Sequence, residues 1–242
     1  MKKILITIVT FLIISCNETP KKNIDQTEKS SQKEWVSLFD GKSFDGWHQF
    51  NENKMSSAWD IVDNAMVFDP SKQMDKKQNN DIVTEKEYTN FELSLEWNIA
   101  EGGNSGIFWG VKEGEQYRKP YTTGPEIQVL DNERHPDALA NPKFHQAGAL
   151  YDLVQPMQDV CKPAGEWNHF LISIDYKSNK GNVALNGVEI VNFPLSGEKW
   201  DSLVANSKFS DWDHFAKFKT GKIGLQDHGD MVSYRNIKIR EL

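Results

Sequence analysis

The 242-residue sequence contains only two cysteines, Cys16 and Cys161. Small secreted domains that rely on disulfides need several cysteine pairs, so the sequence excludes a disulfide framework of that kind. Nothing in the sequence around Cys161 indicates a lowered thiol pKa. We therefore interpret Cys161 as a buried or inert thiol rather than a nucleophile.

Basic residues are also in deficit, with 28 Lys and Arg against 35 Asp and Glu and a net charge of -7. No basic stripe interleaves with aromatic residues, which argues against nucleic acid as a partner. The sequence lacks the H-E-x-x-H zinc motif, paired C-x-x-C motifs and a glycine-rich phosphate loop. A divalent metal ion held by Glu126, Asp131 or a loop histidine remains open, although no spacing demands it.

One apolar run, Ile4 to Ile14, follows the positively charged start Met1-Lys2-Lys3. It is shorter than the about 20 residues of a membrane-spanning helix and has the form of an export signal. Its end, Ile13-Ile14-Ser15-Cys16, resembles the lipobox of bacterial lipoproteins, which implies lipidation of Cys16. We expect a signal peptide at 1–15 and a protein anchored in the bacterial cell envelope through Cys16, its membrane leaflet undetermined. The alternative is an ordinary signal peptide.

The stretch after Cys16 is polar, and Ile24 is its only large apolar residue up to about Lys33. Such a segment buries too little surface to offset the entropy of ordering. We therefore predict a lipidated cysteine and flexible tether at 16–33 and one domain at 34–242, without an internal linker or repeat.

Apolar and polar residues alternate along Phe91–Ile99 and Asn168–Tyr176, which is typical of half-buried strands. Asn186-Gly187 between two short apolar runs predicts a hairpin with a type I′ turn. Only Lys199–Asn206 has helical periodicity. Further strands are predicted at Ala65–Phe68, Asp81–Thr84, Gly106–Val111, Gly124–Leu130, Ala149–Leu153, Lys222–Asp227 and Val232–Arg240. The pattern predicts an all-β sandwich with one short helix, and the length favours a jelly roll.

Five segments together resemble one known family: Leu38 to Trp47, Gly103 to Phe108, Glu126 to Asp131, Gly148 to Asp152, and Gly224 to Gly229 with Arg235-Asn236-Ile237. In number and order they resemble the 3-keto-disaccharide hydrolase family across nearly the whole domain. The resemblance implies a concanavalin-A-like jelly roll and activity on glycosides oxidised to a ketone at C3.

Strand alternation selects the first candidate site residues. If Ile127 and Val129 face the core, Glu126 and Gln128 face the opposite side together. The same argument places Gly224, Gln226 and His228 away from the core, and His228 could equally be a loop histidine paired with an aspartate. Arg235 shares parity with Ile237 and Ile239, which predicts a buried ion pair.

Loop residues complete the candidate set, because loops on a rigid sandwich commonly carry function. We predict Glu126 and His145 as catalytic base and acid, in either order. Trp109 and Tyr151 are the rings expected in the cleft, because aromatic faces stack on sugars. The full predicted substrate-binding set is Asn104, Trp109, Gln128, Asp131, His135, Tyr151, Gln226 and His228.

A 3-keto-glycoside can be cleaved by removal of the C2 proton, expulsion of the C1 oxygen and addition of water, which requires a base, an acid and a group that holds the enolate. The alternative is a non-catalytic carbohydrate-binding lipoprotein on the same sandwich. Acidic and histidine side chains converging in a deep cleft would favour the enzyme, whereas an open aromatic platform would favour the binding module. An adhesion module that binds protein would have neither.

Overall fold

The computed structural model describes residues 33–75, 78–140 and 143–242. The predicted signal peptide, Cys16 and almost all of the predicted tether lie outside these residues. The strands are β1 (Val36–Ser37), β2 (Trp47–Gln49), β3 (Trp59–Val62), β4 (Ala65–Phe68), β5 (Ile82–Thr84), β6 (Phe91–Ile99), β7 (Asn104–Val111), β8 (Glu126–Leu130), β9 (Asn168–Asp175), β10 (Lys180–Leu185), β11 (Val188–Phe193), β12 (Lys222–Leu225) and β13 (Val232–Glu241). The α-helices are α1 (Pro136–Ala140) and α2 (Glu198–Ala205), and single 3₁₀ turns span Pro70–Lys72 and Pro120–Thr122.

In the described part of the chain, the strands form two antiparallel sheets. The larger has the order β11-β10-β9-β6-β13-β4-β3, with β1 also paired to β13. The smaller has the order β2-β5-β12-β7-β8. Two packed antiparallel sheets with non-sequential neighbours confirm the predicted jelly-roll β-sandwich.

The core lies between the sheets and follows the strand alternation. On β6, Leu93, Leu95 and Trp97 are buried, and the Trp97 ring contacts the Phe170 ring of β9 with centroids 5.4 Å apart. The smaller sheet contributes Ile127 and Val129 to the same cluster. The opposite face of β8 therefore remains for the polar residues Glu126 and Gln128.

The predicted hairpin is confirmed. Asn186 and Gly187 between β10 and β11 have φ values of 52° and 83°, as a type I′ turn requires. The predicted helix is also present as α2, whereas α1 was not predicted from the sequence. None of the helices among the described residues is long and apolar enough to cross a membrane.

Two local predictions are wrong. The segment Ala149–Leu153 is not a strand, because Leu150 forms only isolated bridges and Asp152 has a φ of 60°. The ladder register shifts between Arg235 and Lys238, where Asn236 has a φ of 53°. This bulge turns Arg235 away from the core, so its ion pair with Glu96 (Nε to Oε2, 2.6 Å) is partly exposed rather than buried.

Cys161 is partly buried, and its Sγ lies 3.3 Å from the Lys162 carbonyl oxygen. Burial raises the pKa of its thiol to about 12. This agrees with the interpretation of an inert thiol.

Candidate active site

A cavity of about 280 Å³ lies on the face of the smaller sheet that turns away from the core. Its floor comes from β7, β8 and the residues after β12, and its wall from the segment that follows α2. The lining residues are Asn104, Tyr121, Gly124, Glu126, Gln128, Tyr151, Lys208, Phe209, Trp212, Phe215, Gln226 and His228. Of the predicted site residues, Asn104, Glu126, Gln128, Tyr151, Gln226 and His228 are thus brought together.

Glu126 is the acidic residue of this cavity, and only 9% of its surface is exposed. Burial raises the pKa of its carboxyl to about 8, and the negative charges of Asp81 and Asp137 add to the shift. The Lys208 ammonium and the Gln226 amide oppose it. A carboxyl group that titrates near neutral pH can exchange a proton with a bound substrate.

Two amides flank Glu126 on the cavity floor. Gln128 is fully buried and donates from Nε2 to Asn104 Oδ1 at 3.4 Å, and Gln226 is 5% exposed. Within the described residues, the Oε1 atoms of both glutamines lack a hydrogen-bond donor. Buried acceptors without partners are uncommon in proteins, so these two indicate a site that receives donors from a ligand such as sugar hydroxyls.

His145 is not among the described residues that line the cavity, so the structure does not place it against a substrate as the predicted acid or base. Its Nδ1 lies 2.9 Å from Asp137 Oδ1 and its Nε2 lies 3.3 Å from Asp152 Oδ1. The imidazole stacks on the Tyr151 ring, with centroids 4.4 Å apart. Tyr151 in turn donates from its hydroxyl to Asp137 Oδ2 at 3.1 Å. His145 therefore lies behind Tyr151 and holds the ring of this cavity-lining residue in place.

The wall opposite the floor was missed in the sequence. Phe209 and Phe215 stack with centroids 3.8 Å apart, and Trp212 lies 5.9 Å from Tyr121 between ring centroids. Lys208 places its Nζ 4.0 Å from the Tyr151 ring centroid. The high density of aromatic residues between Phe209 and Phe215 is the feature of the sequence that could have indicated this wall. The segment has neither strand nor helix periodicity, so its position could not be predicted.

A second compartment of about 740 Å³ adjoins the first, and the two share Tyr121, Gln226 and His228. Its other lining residues are Pro70, Ser71, Gln73, Gln78, Asp81, Lys119, Asp227 and Gly229. Asp81 Oδ1 accepts the Asp227 backbone N–H at 2.8 Å, and Asp81 Oδ2 lies 3.8 Å from Lys119 Nζ. Burial raises the pKa of Asp81 to about 7. Asp81 was not predicted as a site residue.

Two predicted substrate contacts, Trp109 and Asp131, line neither compartment. Trp109 is 3% exposed and packs in the core against Phe193, with centroids 5.9 Å apart. It shares its strand face with the buried Ile107, so alternation turns it away from the cleft. The buried Asp131 carboxylate instead accepts the backbone N–H groups of Gly102 and Glu133 at 2.7 and 3.0 Å and orders the loop after β8.

His135 lines neither compartment but lies beside His228, with ring centroids 6.2 Å apart. His135, His228 and Asp230 each offer one ligand atom, and these three atoms lie within 4.8 Å of one another. Such a donor set suits a divalent transition metal. His135 Nδ1, however, accepts the Asp137 backbone N–H at 3.0 Å. A neutral imidazole that accepts there carries its proton on Nε2, so metal binding at Nε2 would require loss of this hydrogen bond.

Comparisons with known proteins agree with this architecture. Residues 34–240 match the family model of the 3-keto-alpha-glucoside-1,2-lyase-like domain. A 3-keto-disaccharide hydrolase of Bacteroides thetaiotaomicron is 34% identical over 231 residues, which cover 86% of this chain and 78% of that protein.

Two solved structures of glycosyl hydrolase-like proteins from Parabacteroides distasonis are also similar. The first has a TM-score of 0.79 at 31% identity and covers 86% of this chain and 94% of its own. The second has a TM-score of 0.64 at 27% identity, with 86% and 100% covered. By the match over nearly the whole folded domain and the identity to the curated relative, the chain belongs to the 3-keto-disaccharide hydrolase family.

Proposed function

We propose that this protein is a hydrolase that cleaves the glycosidic bond of 3-keto-glycosides by elimination across C1 and C2 followed by addition of water. The observation that carries the proposal is Glu126, a buried carboxyl group with a pKa of about 8 in a cavity whose glutamine acceptors lack donors. The matching family model is described as a 1,2-lyase-like domain, which supports elimination across C1 and C2.

Glu126 is the base in this mechanism. The C3 ketone acidifies the C2 proton, and the Glu126 carboxylate takes that proton while the C–H electrons form an enolate on the C3 oxygen. A base with a pKa of about 8 is stronger than an ordinary carboxylate, and at neutral pH it still has an ionised fraction. Lys208 lines the cavity and already lowers the pKa of Glu126 through its charge, so its ammonium is suited to stabilise the enolate oxygen.

Collapse of the enolate restores the ketone, forms the C1–C2 double bond and breaks the bond from C1 to the leaving oxygen. That oxygen needs a proton. His228 lies at the boundary shared by the two compartments and replaces His145 as our candidate donor. Burial lowers the pKa of His228, so its imidazole is neutral at neutral pH and its N–H hydrogen-bonds to the leaving oxygen. The proton that Glu126 took from C2 passes to that oxygen and balances the step. Water then adds to the enone.

The converging arrangement favours an enzyme over the carbohydrate-binding alternative. Glu126, Lys208 and His228 meet in one cavity, and the aromatic residues form its wall rather than an open platform. The rings of Phe209 and Trp212 offer apolar faces for the C–H groups of one sugar ring.

The test is a screen of the purified protein against 3-keto-trehalose and 3-keto-lactose, with the unoxidised sugars as controls. We expect release of the second sugar only from the keto substrates, and no turnover by Glu126→Gln. Glu198→Gln, on the exposed side of α2, is the matched control and should remain active. Failure to cleave any keto substrate, or full activity of Glu126→Gln, would contradict the proposal. Loss of activity with EDTA and recovery with Mn²⁺ would show that turnover requires a metal ion.

We further propose that the protein works at the cell envelope, lipid-anchored through Cys16. The short apolar run followed by Ser15-Cys16 supports this placement.

A further inference from the structure

The second compartment differs chemically from the first. We propose that it binds the leaving group of the substrate and that it selects a hydroxyl-rich leaving group, namely a second sugar, over an aromatic one. This inference rests on the proposed function, because the oxidised ring is assigned to the first compartment by the role of Glu126 as the base.

The shared wall fixes the direction of the substrate. Removal of the C2 proton by Glu126 requires the oxidised ring to lie in the first compartment, which Glu126 lines. The neighbouring C1 substituent must then leave through an adjoining space. Tyr121, Gln226 and His228 line both compartments, so the bond that breaks can lie at this boundary.

The sizes of the compartments agree with this division. The first, at about 280 Å³, is just below the range of about 300–1,000 Å³ that is typical of sites for drug-sized ligands. It has room for one sugar ring with its substituents. The second, at about 740 Å³, can take a further ring.

The side chains of the second compartment bind by hydrogen bonding. Lys119 Nζ lies 3.2 Å from Asn79 Oδ1 and 3.8 Å from Asp81 Oδ2, which positions its ammonium at the wall. Gln73 donates from Nε2 to Asp227 Oδ2 at 3.0 Å, and this contact fixes its amide with the carbonyl oxygen left as an acceptor. Apart from Tyr121 and the His228 imidazole, both at the shared boundary, no aromatic ring is among the described residues that line it. The compartment can therefore satisfy sugar hydroxyls but offers little stacking surface to an aryl group.

The test compares two substrates that share the oxidised ring and differ in the leaving group, 3-keto-trehalose and 4-nitrophenyl 3-keto-α-glucoside. We expect the double variant Gln73→Ala/Lys119→Met to lower kcat/KM for the disaccharide by roughly tenfold or more, as loss of a charged hydrogen bond predicts. The aryl substrate should change by less than about twofold. Lys86→Met removes an exposed ammonium that pairs with Glu241 and lines neither compartment, so it should affect neither substrate.

Each result decides the proposal. An equal loss on both substrates, with a Tm like that of the wild type, would mean that these residues act on catalysis, and it would overturn the subsite. No loss on the disaccharide would also overturn it. Should the double variant fold poorly, the exposed Gln78→Ala, compared on the same substrate pair, replaces it, and a loss on the disaccharide alone is again expected. A wild-type protein inactive on both substrates would instead reject the proposed function.

Discussion

The carboxylate of Glu126 lies over Gly106 of the neighbouring strand, at a place where a β-carbon would come within 2.1 Å of Glu126 Oε1. Gly106 pairs with Gln128 across β7 and β8, so the same short stretch of ladder positions both floor residues. A strand glycine is otherwise unfavourable, and close approach by another group is a known reason for one. The absence of a side chain at Gly106 is what allows Glu126 to lie buried at the cavity floor.

Gly106→Ala should therefore displace the Glu126 carboxylate. We expect kcat/KM to fall by roughly a hundredfold, because a displacement of about 1 Å in a reacting group can have an effect of that size. Gly224→Ala, where the nearest atom would be a Phe108 ring carbon at 3.2 Å, is the control and should remain active. Unchanged kinetics in Gly106→Ala would mean that Glu126 does not need its present position.

The pKa of Glu126 predicts a pH dependence. A base must be ionised, so kcat/KM should rise with pH and level off above about 8, where the carboxyl has lost its proton. If kcat/KM instead fell as pH rose through 8, Glu126 would act as the acid.

Stability gives an independent measure of the same group. Because the pKa of Glu126 in the folded state is raised above the ordinary 4.5, the folded state binds the proton more tightly than the unfolded state does. The resulting stabilisation is fully present below about pH 4.5 and is lost as pH rises through about 8. The wild type should lose on the order of a few kcal/mol across this window. Glu126→Gln should lose less, as urea unfolding at pH 5 and pH 8.5 would measure. Parallel losses in both proteins would contradict the raised pKa.

His145→Gln tests the corrected role of that residue. The exchange weakens the contacts to Asp137 and Asp152, which are only partly exposed, and should lower stability by about 1 kcal/mol. Because His145 lies behind Tyr151, turnover should fall by less than about tenfold, the effect of about 1.4 kcal/mol. Complete loss of kcat with the wild-type Tm would restore His145 as a catalytic acid or base.

Cys16→Ser should release the protein from the membrane fraction, because acyl chains on the cysteine would supply the anchor. Fractionation of cells expressing each form, followed by immunoblotting, measures the distribution. Membrane retention of the mature Cys16→Ser protein would contradict lipid anchoring, and Cys161→Ser is the control that should stay with the membrane.

Period-two alternation predicted much of the fold and the floor of the site. It located β6 and β9 and placed Glu126, Gln128 and Gln226 on the face away from the core. The same rule, started from the buried Ile107, places Trp109 in the core. Trp109 was predicted in the cleft only because aromatic rings commonly stack on sugars. Local alternation fails at the bulge beside Arg235, where one extra residue reverses the face.

The cavity wall could not be predicted in the same way. Lys208, Phe209 and Trp212 lie more than 80 residues from Glu126 in the chain, and their irregular backbone gives no periodic signal. Asp81 is only the first residue of a predicted strand, and no local pattern indicates that the sheet brings it beside Asp227. Such sites depend on long-range contacts between loops, which local patterns do not encode.

The most direct test of elimination is cleavage of 3-keto-trehalose in heavy water. Loss of the C2 proton and later hydration must introduce solvent deuterium at C2 of the released 3-keto-glucose, which mass spectrometry and NMR can measure. An enzyme-free incubation of the product over the same time corrects for spontaneous enolisation. We predict one deuterium at C2 in each product molecule at early times. Product that retains hydrogen at C2 would show displacement at C1 and contradict Glu126 as the base of an elimination.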